Sequence, residues 1–169
     1  MAYEKLGAGG VAVLGGLAIA GAISELSATL SPVVYEERTF TETTGAGVYP
    51  ASVNVPAGAS LIDVIIQSTA LWTATASATL KVGDAATDDG WYTAVNLKAT
   101  DLLVGEDLSF AHDGGKAGAY LALEQRKRYS AIARVISGIV TTVGAAGNAG
   151  RTRMLVIYAA PNPVAATKV

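Results

Sequence analysis

The sequence predicts an all-β fold: an antiparallel β-sandwich or jelly roll, preceded by an apolar Gly/Ala-rich N-terminal arm. Three observations carry this. From Val33 onward, eight to ten short runs rich in β-branched and aromatic residues alternate with glycine, proline and asparagine turn signals. No stretch of 33–169 shows a convincing amphipathic helical period, so the crossover helices of a parallel sheet are missing. Finally, 51% of residues are hydrophobic and only 15% charged, against a usual charged fraction of about 25%. A chain so poor in charge is expected to bury surface against partners.

The elements follow in order. "VVYEERTFTE" (33–42) reads as a strand, and "TTGAGVYP" (43–50) supplies glycines for a turn. "ASVNVPAGAS" continues with Val53 and Val55 on one face, and Pro56-Ala57-Gly58 is a turn signal. "LIDVIIQS" (61–68) is nearly continuously apolar, which predicts a central strand buried on both sides. "SATLKVGD" (77–84) alternates with Ala78, Leu80 and Val82 inward. "WYTAVNLK" (91–98) alternates again, with Thr93, Val95 and Leu97 on one face. "EDLSFA" (106–111) and "GAYLALE" (118–124) are shorter strand candidates. "YSAIARVISGIVTTV" (129–143) has high β propensity, with Gly138 marking a bulge. After the loop "GAAGNAG" (144–150), "RTRMLVIYAA" (151–160) forms a last apolar strand that Pro161 ends. The expected organisation is an arm over 1–32, a sandwich domain over 33–161 and an extended tail over 162–169.

The charge is unevenly placed. Residues 1–125 hold all 14 acids and five bases, whereas 126–169 hold seven bases and no acid. Strands from the two halves pairing in one sheet would neutralise each other. The sharper reading is a polar molecule whose basic side meets an acidic partner, with Arg126, Lys127 and Arg128 as the electrostatic contact. The slightly acidic chain, with one aromatic beside that short run, argues against nucleic acid as a partner.

Catalytic and metal motifs are absent. With no cysteine and one histidine, thiolate sites, disulfides and multi-histidine metal sites within the chain are excluded. Asp84, Asp88 and Asp89 cluster in "GDAATDDGW", but the sixth position from Asp84 is Asp89 instead of glycine and the twelfth is Val95 instead of glutamate. An acidic, solvated loop is the expectation. His112-Asp113 sits in a glycine-rich loop without a nucleophile elbow. "DGGKAG" does not match a phosphate-binding loop. Trp72 and Trp91 could stack on a sugar, but each lies beside a strand, where packing is the expected role. The chain is therefore expected to be no enzyme and to carry no cofactor.

"LGAGGVAVLGGLAIAGAIS" (6–24) is uncharged throughout. Ala20-Gly21-Ala22 resembles a signal-peptidase site, yet Lys5 is a thin basic region and Glu4 cancels it. As a membrane span it is nearly long enough, but eleven of its nineteen residues are Gly or Ala and its flanks carry no basic cluster. The remaining reading is an assembly arm: small residues permit close backbone approach while Leu6, Val11, Val13, Leu14, Leu17, Ile19 and Ile23 contact neighbouring subunits.

"VNVPAGASLIDVIIQSTALW", "ATLKVGDAATDDGWYTAVNLKATDLL" and "RTRMLVIYAAP" together resemble small structural proteins of tailed bacteriophages, above all the capsid decoration or cement proteins. The resemblance covers residues 48–161. It implies a jelly-roll or β-sandwich protein, commonly trimeric, on the outside of the capsid. Such a protein would clamp adjacent major capsid subunits and so stabilise the virion. The alternatives carried forward are another virion component (a head-fibre base or tail protein), a carbohydrate-binding sandwich and a membrane-anchored surface domain.

Overall fold

The computed structural model describes residues 32–45, 47–122, 127–145 and 147–161. Its elements are β1 (Val33–Thr41), β2 (Val48–Val55), β3 (Ser60–Ala70), β4 (Ser77–Gly83), β5 (Tyr92–Asn96), β6 (Asp107–Leu108), α1 (Ala119–Ala122), β7 (Arg134–Val143) and β8 (Arg151–Ala159). Two four-stranded sheets result, ordered β1-β8-β3-β6 and β2-β7-β4-β5. All pairings are antiparallel.

This order is that of a jelly roll. β1 pairs with β8, β2 with β7, β3 with β6 and β4 with β5. That is one long hairpin folded back at the β4–β5 connection. The ribbon then rolls up, bringing β8 against β3 and β7 against β4. Rolling turns a ribbon with one apolar side into two sheets that bury that side between them.

The core follows from the period of two along each strand. Val53 and Val55, Leu61, Val64 and Ile66, Ala78, Leu80 and Val82, Ile136 and Val140, and Met154 and Val156 are all buried between the sheets. Tyr92 crosses the layer: its hydroxyl donates to the Val64 carbonyl at 2.7 Å. Burial, with the Asp63, Asp113 and Asp107 charges, pushes that phenol far above its ordinary value.

Several expectations are corrected. β3 is buried on one side only; Ile62 and Thr69 are exposed, and Ile65 and Gln67 are half-covered on the opposite side. A continuous apolar run does not distinguish a two-sided core strand from a strand whose second face awaits a partner. In β5 the phase slips. Ala94 takes a positive φ of 42° and the register with β4 shifts there, so Tyr92 and Val95 are buried while Thr93 is not. Gly138 is no bulge, because β7 runs in continuous register with β2 and β4. A Cβ at that position would lie 2.6 Å from the Phe40 ring and 3.0 Å from Met154 Sδ. The glycine instead makes room for side chains from the opposite sheet. Residues 119–122 are a helical turn, not a strand, seating Tyr120 edge-on against Trp91 with ring centroids 5.2 Å apart. β7 begins at Arg134, so 129–133 belong to the preceding loop. At the Pro56–Ala59 turn the Ala59 N–H reaches the Pro56 carbonyl at 3.3 Å, with Gly58 at a φ of 78° that only glycine adopts readily.

Candidate functional site

The polar side chains best placed for chemistry are spent inside the fold. At one end of the sandwich, the loops after β1, β3 and β7 converge on Glu42, which is 2% exposed. Its Oε2 accepts from the Thr73 N–H (3.0 Å), the Thr73 hydroxyl (2.9 Å) and the Gly150 N–H (2.9 Å), and its Oε1 from the Ala74 N–H (2.9 Å). Burial alone would push this carboxyl up. The N–H groups of Thr73, Gly150 and Ala74 and the Thr73 hydroxyl reverse that, and the net direction is down. Beside it, the Trp72 indole donates to the Thr152 hydroxyl at 2.9 Å and meets Tyr49 edge-on. The phase of β1, fixed by buried Phe40, puts Glu42 inward; that alternation was the available sequence signal for this clamp.

At the opposite end, Asp84 Oδ1 accepts from Ala86 N–H (3.0 Å), Thr87 N–H (3.1 Å) and the Tyr120 hydroxyl (2.9 Å). Asp88 pairs with Lys81 at 3.6 Å. Among the described residues, no group of three His, Cys, Asp or Glu side chains is arranged to hold a metal ion. His112 is exposed, and its backbone N–H and carbonyl are paired with Ser109.

The basic run sits differently from a hairpin tip. Arg126 lies outside the described residues. Lys127 Nζ stands 4.9 Å above the Tyr120 ring, and the Arg128 guanidinium 5.1 Å from the Phe110 centroid. Phe110 stacks on Trp91 at 5.0 Å. Arg134 donates to the carbonyls of Lys127 and Arg128, and its guanidinium lies 5.7 Å from the Trp91 centroid. Burial lowers the Arg134 pKa, against the opposing pull of Asp84 and Tyr120. Arg128 is thus half-buried packing, and of the two described residues of the run Lys127 is the exposed one. Of the four ion pairs among the described residues, Glu37–Arg153 alone joins the acidic and basic portions of the chain, across β1 and β8.

Both tryptophans are buried, Trp72 at 2% and Trp91 at 0% exposure. Neither can stack on a sugar, which removes the residues on which the carbohydrate-binding reading rested. No helix among the described residues is long and apolar enough to cross a membrane. The arm residues Leu6, Val11, Val13, Leu14, Leu17, Ile19 and Ile23 lie outside the described residues.

What remains is surface. The outer face of the first sheet is apolar at the end where β1 begins: Val33, Tyr35, Ile62 and Tyr129 are exposed, with Ile157 half-covered among them. Farther along, the face turns polar at Glu37, Arg153 and Gln67. The outer face of the second sheet carries exposed Val48, Val135 and Val143. A cleft of about 540 Å³ opens between the β2 end and the β7 start, lined by Pro56, Ala85, Ala86, Ile132, Arg134 and Val135. Both outer faces thus expose apolar side chains on a chain poor in charge.

No protein-family model matches the chain, and no curated protein matches it. Solved structures do. A chain in the acid-stable capsid of Helicobacter pylori bacteriophage KHP30 is similar, with a TM-score of 0.53 at 19% identity, covering 79% of this chain and 91% of that one. A chain in the capsid of Ralstonia phage GP4 is similar with a TM-score of 0.50 at 16% identity, covering 78% and 86%. A chain of the cyanophage Pam1 capsid asymmetric unit reaches 0.48 at 24% identity, covering 77% and 84%. At these identities the first two likenesses show a shared fold: an all-β sandwich that also occurs in phage capsids.

Proposed function

We propose that the chain is a non-enzymatic structural protein of a phage virion, which oligomerises and staples neighbouring capsid subunits. The observation that carries this reading is the jelly roll's division of labour. Its carboxylates at the two ends and both indoles are spent on internal contacts, while exposed apolar side chains remain on both outer faces. The similarity to chains in two phage capsids supports the same reading. Residues 33–161 form the sandwich domain in this proposal, 1–32 an anchoring arm and 162–169 an extended tail. The partner is the major capsid protein, the place is the capsid surface and the oligomer is a trimer. Stapling works by adding buried apolar area between subunits, worth about 25 cal/mol per Å² before the ordering of the arm offsets part of it.

The test is to purify phage particles with and without the gene for this chain. The chain is expected in the purified particles, and particles lacking it are expected to release their DNA at a lower temperature. Particles that never contain the chain, or whose thermal release is unchanged without it, would overturn the proposal.

A further inference from the structure

We infer that the apolar end of the β1-β8-β3 outer face is a receptor for the N-terminal apolar stretch 6–24 of a neighbouring copy. The inference rests on the oligomeric virion reading and names the surface that would hold the copies together.

The receptor is built by register. Val33 is level with Ala159 and Ser60, and Ser60 bridges to Tyr129, giving one row across the sheet. The next row holds Tyr35, Ile157 and Asp63, whose Oδ1 accepts from the Val64 and Phe110 N–H groups at 2.8 Å each, and the third holds Glu37, Leu155 and Ile65. Tyr35 is 66% exposed. These three rows span β1 from Val33 to Glu37, about 13 Å at the strand rise. Glu37 in the third row pairs with Arg153 in the following one, which also carries Thr39 and Gln67, so the apolar zone has a polar border on that side.

The occupant is chosen by where the chain leaves. The Pro32 carbonyl accepts the Ala160 N–H at 2.8 Å, so the β1–β8 ladder continues through Pro32. A residue preceding proline is biased to extended backbone, and Ser31 precedes Pro32. The described chain begins at Pro32, at the rim of this face. Seven residues, 25–31, lie between Ser24 and Pro32, and the eight Cα steps reach up to about 26 Å when extended, about twice the depth of the apolar zone. That reach puts the uncharged stretch within range of a neighbouring copy's face. Its nineteen residues, rich in Gly and Ala with Leu, Ile and Val between them, suit close seating on an apolar sheet. Each copy would give one arm and receive one, a heterologous contact that closes into a ring where its rotation allows.

The chain has no cysteine, so cross-linking of the full-length protein is free of background. Leu17→Cys and Tyr35→Cys are made as separate variants, mixed and oxidised. A disulfide-linked pair of one chain of each kind is expected, forming at least about ten-fold faster than with a Val48→Cys partner, whose site is comparably exposed on the other sheet. Equal linkage to both partners overturns the inference. So does linkage found only within a doubly substituted chain, which would place the arm on its own face. An oligomer that sediments as such without the link overturns the seating alone. A monomer absent from particles overturns the underlying reading as well.

Discussion

Replacing Glu42 by glutamine tests whether one buried carboxylate holds an end of the sandwich together. The substitution preserves shape and removes charge. Oε2 receives three donors and Oε1 one, so the better orientation of the amide puts its carbonyl where Oε2 was. Its NH₂ then faces the buried Ala74 N–H, stranding a donor at about 1–3 kcal/mol. The three remaining bonds fall from charge-assisted to neutral strength, losing roughly 0.5–1 kcal/mol each. The total is about 2.5–6 kcal/mol, or a drop in Tm of roughly 8–24 °C at about 3–4 °C per kcal/mol for a domain of this size. Urea titration followed by tryptophan fluorescence measures it, since Trp72 lies in the same loop as three of the four donors. The sign with pH is fixed. The folded-state pKa is depressed below the ordinary 4.5, so the unfolded chain takes up the proton first as the solution is acidified. The contribution of Glu42 is therefore whole well above pH 4.5 and is lost as pH falls through the folded value. The gap between parent and variant should narrow on acidification. A gap under about 0.5 kcal/mol at neutral pH, or one that stays constant into the acid range, would refute the clamp.

Other outcomes follow from the same contacts. Gly138→Ala should destabilise the domain by about 1–3 kcal/mol through overpacking, and Phe40→Leu in the same chain should recover part of it in a double-mutant cycle. Arg128→Ala should cost about 0.5–1 kcal/mol in urea titration through its lost contact with Phe110; an unchanged midpoint would return Arg128 to a purely external role. Both indoles should resist acrylamide quenching, and emission should not respond to added sugars; a sugar-dependent shift would contradict their burial. Arg38 donates from Nε to the Ser52 carbonyl on the β2 edge at 2.7 Å, so Arg38→Leu should free that edge and raise aggregation measured by light scattering.

The strand pattern was legible because alternation is a local property. Val53 and Val55, and Ala78, Leu80 and Val82, are read inward from sequence and are buried. Where reading failed, a non-local contact had decided. The glycine of β7 answers to Phe40 and Met154 on the other sheet, not to its own strand. The turn at 119–122 forms where Tyr120 meets Trp91 and Asp84, partners 29 and 36 positions earlier. Aromatic and arginine-rich surroundings of this kind absorbed Arg128, which its sequence neighbours presented as free charge. Glu42 was legible in phase but not in purpose, since its donors come from residues 73, 74 and 150.

The bond between Pro32 and Ala160 has a mechanical consequence. Bonds in an antiparallel ladder lie perpendicular to the strands, and β1 is paired with β8 along all nine of its residues. A pull along the strand axis on the chain ahead of Pro32 loads the ladder in shear, with every bond sharing the force, instead of peeling bonds singly from the end. A tether attached there meets the strongest direction the sheet offers, which is the loading that the proposed stapling of capsid subunits would impose.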